Sequence, residues 1–399
     1  MIKSFRFTIF LFLASCLIFA RDLQAFPTPS ESNQDKLAYF QLEAETFYSP
    51  KPVTIEGNPY LTYEVFLTNV GDYPFSLENV EVLNGRQPSK VLFSYNQEQL
   101  RKMIYSFGGH SKHLKSDLTL RPGERGLLFF MVKFDSLGEI PKKLTHRFHL
   151  YSSKTQLSEE EVRYSFLAAP THVKTTQPLV IANPLDGKHW MAINGPSNHS
   201  LHRRARVAAH GIVYYPERYA IDFMQFGSDG HIYKENPYKN DNYYSYGANI
   251  YSVADGKVVD VYDGVPDNTP PGRDYPITLS NMAGNYVIIE IAKQQYALYA
   301  HLIPHSIKVT KGELVRKNQL IAKLGNSGNS DAPHLHFHVI DKPSPLIGQG
   351  IPYAFEHFST EEYRFAGDEW KSPIVYEGRL TEHHHELVHE NALMNFEEK

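Results

Sequence analysis

The chain has 399 residues, room for two ordinary domains, each with its own core. Apolar residues make up 42% and charged residues 21%, the balance of a soluble globular protein. The net charge of −4 offers no basic surface to nucleic acid, so no nucleic-acid partner is expected, and 13% aromatic residues with 26 Tyr favour β-rich domains.

Lys3 and Arg6 precede an apolar run from Phe7 to Ala20, too short and too closely followed by polar residues for a membrane span. Residues 1–25 therefore read as a signal peptide and the protein as exported, to a periplasm or outside the cell. "LASC" ends at Cys16, the only cysteine, and resembles a lipidation site; the apolar "LIFA" that follows favours ordinary cleavage. The mature chain then has no thiol, so neither a disulfide nor a sulfur ligand is expected. Residues 26–37, "FPTPSESNQDKL", read as a spacer.

From Tyr39 the pattern changes to short alternating runs. "YLTYEVFLTNVG", "ENVEVLNG" and "HRFHLYS" alternate, and "LTLRPGERGLLFFMVKFD" holds a Pro-Gly turn between two apolar runs. Such spacing predicts an all-β, Ig-like sandwich over 38–168. "NQEQLRKMIYSF" breaks the alternation and predicts a short helix. His110 and His113 read as surface histidines, and no catalytic constellation is visible here. Residues 169–200 are Pro- and Asn-rich and read as a connector whose Trp190 packs on a neighbouring domain.

A second domain is expected over 201–358. "HLHFHV" is strict alternation and therefore a strand. Residues two apart share a face, so His334, His336 and His338 point one way while Leu335, Phe337 and Val339 point into a core. Three imidazoles in register suggest metal ligation or proton transfer rather than a wet sheet face, which would mix Thr, Lys, Glu and Ser. "KLGNSGNSDAPH" is a tight loop feeding this strand, "YALYAHL" a second alternating strand ending near His301, and "YSVADGKVVDVYDG" a hairpin through Asp255–Gly256.

"GANIYSVADGKVVDVYDG", "GNYVIIEIAKQQYALYAHL" and "IKVTKGELVRKNQLIAKLGNSGNSDAPHLHFHV" resemble, in order and spacing, the lysostaphin/LytM-type zinc metalloendopeptidases. The likeness is strong from Gly247 to Ile340 and extends weakly back to His202. It implies an antiparallel β metallopeptidase core of the duplicated-hybrid-motif kind with a groove. It also implies one zinc ion, no organic cofactor, and cleavage of peptidoglycan stem peptides or cross-links. Carried over residue by residue, the resemblance makes His336 of H-L-H a ligand, His334 and the His301 of Y-A-H-L catalytic, and Asp222 of "RYAIDF" a second ligand.

The family's usual first ligand lies four residues before that aspartate, where this chain has Arg218. A guanidinium has no free lone pair and stays protonated, so it cannot ligate. "LHRRA" followed by "RYAIDF" looks like a variant that takes its third ligand from His202; His199 and His210 are the alternatives. Arg218 then neighbours Asp222 or binds a substrate carboxylate, and His338 lines the groove or hydrogen-bonds a ligand.

The Tyr-rich loop 227–247 offers Tyr243 and Tyr244 to a glycan or peptide, and 265–284 is a second loop at the opposite end of a hairpin. The tail 359–399 reads as a solvated, His-bearing helix around "TEHHHELVHENA". Three rivals remain at this stage: an inactive relative that binds peptidoglycan or regulates wall hydrolases, a phosphohistidine carrier, and a lectin-like adhesin built on the sandwich.

Overall fold

A computed structural model describes residues 40–107, 114, 116–152, 161–367 and 372–399. The expected signal peptide, Cys16, the spacer, His110 and His113 lie outside the described residues.

The N-terminal part is two five-stranded sheets closing on one core. One runs Leu42–Glu45, Asn58–Asn69, Arg125–Lys133, Ile104–Ser106, with Val53–Ile55 alongside; the other runs Val162–His172, Lys143–Ser152, Phe75–Asn84, Gln87–Asn96, with Thr119–Leu120 alongside. Alternation supplies the inward residues: Leu61, Tyr63, Val65 and Leu67 from the first sheet meet Leu77, Val80, Val82, Phe148 and Leu150 from the second. The predicted helix forms at Gln97–Met103. Asn96 and Gln99 close a capping box across its first turn.

The C-terminal part is built on one eleven-stranded sheet. Its order is Leu179–Ile181, Tyr353–Phe365, Leu393–Asn395, Trp190–Ile193, Ile221–Gln225, Leu335–Ile340, Gln295–Leu302, Asn285–Ala292, Gly256–Tyr262, Leu314–Val315, with Ile374–Glu386 pairing Tyr353–Phe365. All its pairings are antiparallel except that of Leu179–Ile181 with Tyr353–Phe365.

This sheet redraws the boundaries read from sequence. The supposed connector contributes two strands, and Trp190 is buried in the C-terminal core itself, its indole N–H donating to the Asp186 carbonyl. The supposed helical tail is β. Ile374–Glu386 forms a long hairpin with Tyr353–Phe365, and Leu393–Asn395 is inserted between Tyr353–Phe365 and Trp190–Ile193. The histidine run misled because its apolar anchors lie beyond it: Leu387, Val388, Leu393, Met394 and Phe396 all enter the core. His383 stacks on Phe358 and His384 on His357, contacts across a hairpin rather than along a helix.

The sandwich docks firmly on the C-terminal part. Phe66, Leu127 and Phe129 meet Tyr215 in a shared apolar cluster, and the Leu387 N–H donates to the Thr54 carbonyl at 2.9 Å.

Candidate metal centre

Three adjacent strands place the site. Asp222 on Ile221–Gln225 is the register partner of His336 on Leu335–Ile340 and of Ile193 on Trp190–Ile193. On the far side, His336 pairs Ala300. Leu335, Phe337 and Val339 fill the core as the alternation requires, which turns His336 and His338 to the opposite face.

His301 departs from simple alternation. Tyr299 faces the core, so an unbroken strand would send His301 there as well. Its backbone instead adopts φ 63°, a left-handed conformation that costs a non-glycine residue about 1–2 kcal/mol. The turn is held on both sides: the His301 N–H donates to the Ala283 carbonyl and its carbonyl accepts from Gly325 N–H. The ring thereby lies 4.8 Å from that of His334 and 5.7 Å from that of His336, between centroids.

The donor atoms converge. One atom each from His202, Asp222 and His336 lie within 4.8 Å of one another, and all three residues are buried. His336 Nδ1 is 2.9 Å from Asp222 Oδ1, His202 Nε2 is 3.2 Å from Oδ2, and His334 Nε2 is 3.4 Å from Oδ1. They sit in the wall of a cavity of about 400 Å³ that His301, His334, Glu217, Arg273 and Asp331 also line.

Hydrogen bonds fix which nitrogen faces the cavity. A carbonyl can only accept, so a ring nitrogen bonded to one must carry the proton. His202 Nδ1 donates to the Asn194 carbonyl (2.9 Å), His301 Nδ1 to that of Ser327 (2.7 Å) and His334 Nδ1 to that of Ala332 (2.8 Å). Each neutral ring then presents Nε2 as a bare lone pair.

His202 Nε2 faces Asp222 Oδ2 at 3.2 Å, which favours a positive charge there, either a proton on Nε2 or a cation between the two. Burial alone would depress the His202 imidazole, yet Asp222 lifts it to about 9. Burial likewise opposes ionisation of Asp222, yet His202 and His334 hold its carboxyl well below the usual range. Two imidazoles and one carboxylate around a shared point fit zinc, which takes three protein ligands in its catalytic sites. His202, Asp222 and His336 would hold it.

His202 is brought in by a one-turn helix, Leu201–Arg204. His199 and His210 do not join it: His199 is exposed, and His210 sits at φ 50° in the exposed turn between Val207–Ala209 and Ile212–Tyr214.

Three expectations need correction, and of the alternatives read for His338 only the hydrogen bond to His336 remains. Arg218 neither stands beside Asp222's carboxylate nor reaches a substrate; it is buried, and its guanidinium donates to both oxygens of Glu64 at 2.9 and 2.8 Å. His338 is fully buried and does not line the cavity; its Nδ1 lies 3.0 Å from His336 Nε2. Tyr243 is buried under the loop, its hydroxyl donating to the Pro237 carbonyl, and Tyr244 is tied to Asp229. Neither tyrosine lines the cavity.

One functional residue escaped the sequence reading. Asn194 accepts from His202 Nδ1 through its carbonyl and donates to Asp222 Oδ2 through its amide, at 2.9 and 3.0 Å. Its φ of 51° makes both contacts possible. The only signal was Asn-Gly in "AINGPSN", which reads as a turn.

The chain is similar to known proteins over part of its length. The chain is 38% identical over 121 residues to the peptidoglycan DD-endopeptidase ShyB of Vibrio cholerae, a match covering 30% of this chain and 24% of that protein. It is 33% identical over 110 residues to the peptidoglycan DD-endopeptidase ShyA of the same organism, covering 27% and 21%. The matches thus span less than a quarter of either relative's length. Among solved structures, the catalytic domain of lysostaphin from Staphylococcus simulans aligns with a TM-score of 0.16 and 21% identity, over 29% of this chain and 80% of that one. The family model for peptidase family M23 matches residues 241–346, which takes in His301, His334 and His336.

Proposed function

We propose that the protein is an exported, zinc-dependent endopeptidase that hydrolyses peptide bonds in bacterial cell-wall peptidoglycan. The observation that carries this reading is the convergence of His202, Asp222 and His336 beside two further imidazoles in one open cavity. The names of the Vibrio relatives support peptidoglycan as the substrate. On this reading His202 supplies the third donor that Arg218 cannot, which weighs against an inactive binding module.

Zinc bound there supplies Lewis acidity, polarising a carbonyl and acidifying water at neutral pH. The chain's own groups do the rest. Asp222 and Asn194 hold His202 in place. His301 and His334 each turn Nε2 to the cavity: His301, neutral, accepts the proton of an attacking water, while His334, which burial would lower but Asp222 raises above its ordinary range, donates from a protonated Nε2 to the developing oxyanion. The proton then passes to the leaving amine. Burial foremost, then His334 and His336, push the His301 imidazole well below its ordinary range, which keeps it a neutral acceptor at pH 7.

Arg273 lines the cavity mouth, half-exposed, 3.0 Å from Asp331. Its guanidinium suits a substrate carboxylate that displaces Asp331, as the acidic stem peptides of peptidoglycan would.

Incubating the purified protein with peptidoglycan sacculi and analysing the soluble products tests the reading. New amino termini released by wild type and not by His336→Ala are expected. Intact sacculi with zinc-loaded wild type would defeat it.

A further inference from the structure

The helix that carries His202 is not self-supporting. One turn of four residues cannot pay its own nucleation cost, and Ser200 gives it no side-chain cap. Its two arginines reach out of the domain, Arg204 while also donating to the Asn198 carbonyl. Arg203 donates to the Glu64 carboxylate and to the carbonyls of Tyr63 and Phe130, and its guanidinium lies 4.7 Å from the centre of the Phe129 ring. Arg204 donates to the carbonyls of Lys102 and Met103, and its guanidinium lies 4.1 Å from the centre of the same ring. Asn198 apart, every one of these partners belongs to the N-terminal sandwich.

Glu64 reaches further. The same carboxylate receives Arg218, which lies just ahead of the strand that bears Asp222. Arg218 is also held by the Gly350 carbonyl and Gln349 Oε1, and its guanidinium lies 4.0 Å from the centre of the Tyr48 ring. Glu64, Arg203 and Arg218 are all at most 3% exposed. One carboxylate from the sandwich therefore ties together the two segments that deliver His202 and Asp222.

We propose that Glu64 is a positioning residue for the metal centre, clamping Arg203 and Arg218 so that His202 stands opposite Asp222. The inference rests on the zinc reading of the site. It makes the sandwich a working part of the centre rather than a separate module, and it gives Arg218 a role at the position where a ligand would otherwise be expected. Loss of a partner bonded directly to a ligand costs a metal site about 10–100-fold in affinity, and a clamp one contact further out belongs at the lower end of that range.

The test is zinc affinity of the full chain by chelator competition, well below each variant's melting temperature, for wild type, Glu64→Gln, Arg203→Lys and Glu386→Gln. Glu386 makes a separate contact across the two parts, accepting from Gly57 N–H, and serves as the control. Glu64→Gln and Arg203→Lys are expected to lose about 10-fold or more in zinc affinity, and Glu386→Gln to bind as wild type. A merely structural clamp would lower the melting temperature and leave zinc affinity unchanged. That result in both clamp variants, with zinc-binding wild type, would overturn the inference alone. Failure of wild type to bind zinc would overturn the function reading and this inference with it.

Discussion

Asn194 holds two members of the donor set at once, and the cost of losing it should be visible in metal binding. In Asn194→Gly, which keeps the left-handed backbone without strain, the main-chain carbonyl to His202 remains while the amide to Asp222 Oδ2 is gone. Zinc affinity is expected to fall about 10-fold, measured by chelator competition, with the melting temperature of the zinc-free chain little changed. His338 invites a sharper test. With His336 Nδ1 turned to Asp222, its Nε2–H donates to His338 Nδ1, which fixes the tautomer of the ligand. His338→Phe removes that acceptor and should weaken zinc by about 10–100-fold, whereas His338→Gln keeps one and should bind more tightly than the Phe variant. Equal affinities would show that the tautomer is set elsewhere. The spacing of "HLHFHV" put three histidines on one face, because strand alternation is local, and the family resemblance alone singled out His336 among them as a ligand. Arg218 was misread for the opposite reason: its partner, Glu64, lies 154 positions away, and no pattern near Arg218 announces it.

The elements flanking the site were partly legible. The strands around Phe337 and Tyr299 announce themselves by alternation, as does the capped helix after Asn96. The left-handed turn at His301 does not, since it depends on backbone partners at Ala283 and Gly325. The tail deceived because a run of histidines carries no apolar period of its own. As the structure has it, Leu393–Asn395 is an interior strand two places from the Asp222 strand, and Met394 is completely buried. Met394→Ala should therefore destabilise the chain by about 2–5 kcal/mol in denaturant unfolding. A solvated tail would tolerate the change within about 0.5 kcal/mol.

Acid stability joins the two parts of the molecule. Burial opposes the charge on Glu64, but Arg218 and Arg203 outweigh it and draw the carboxyl from 4.5 down to about 2. A depressed carboxylate stabilises the fold above its unfolded value and loses that contribution as pH falls from about 4.5 toward 2, on the order of 3 kcal/mol in all. His146, in the sandwich core beside Tyr63, is pushed by burial from 6.5 to about 4. It stays neutral when folded and takes up a proton when unfolded, so it too favours unfolding, starting as pH drops below 6.5. The melting temperature should decline in two stages on acidification, the earlier one, which His301 shares, made smaller in His146→Gln. A single decline confined to pH below 4 in both proteins would contradict this assignment.

The identity of the third ligand is the point on which the whole account turns. Zinc content after gel filtration, in wild type, His202→Ala, His210→Ala and His336→Ala, measures it directly. One zinc per chain is expected in wild type and His210→Ala, and little or none in His202→Ala and His336→Ala. A His202→Ala protein that retains one zinc as firmly as wild type would contradict it.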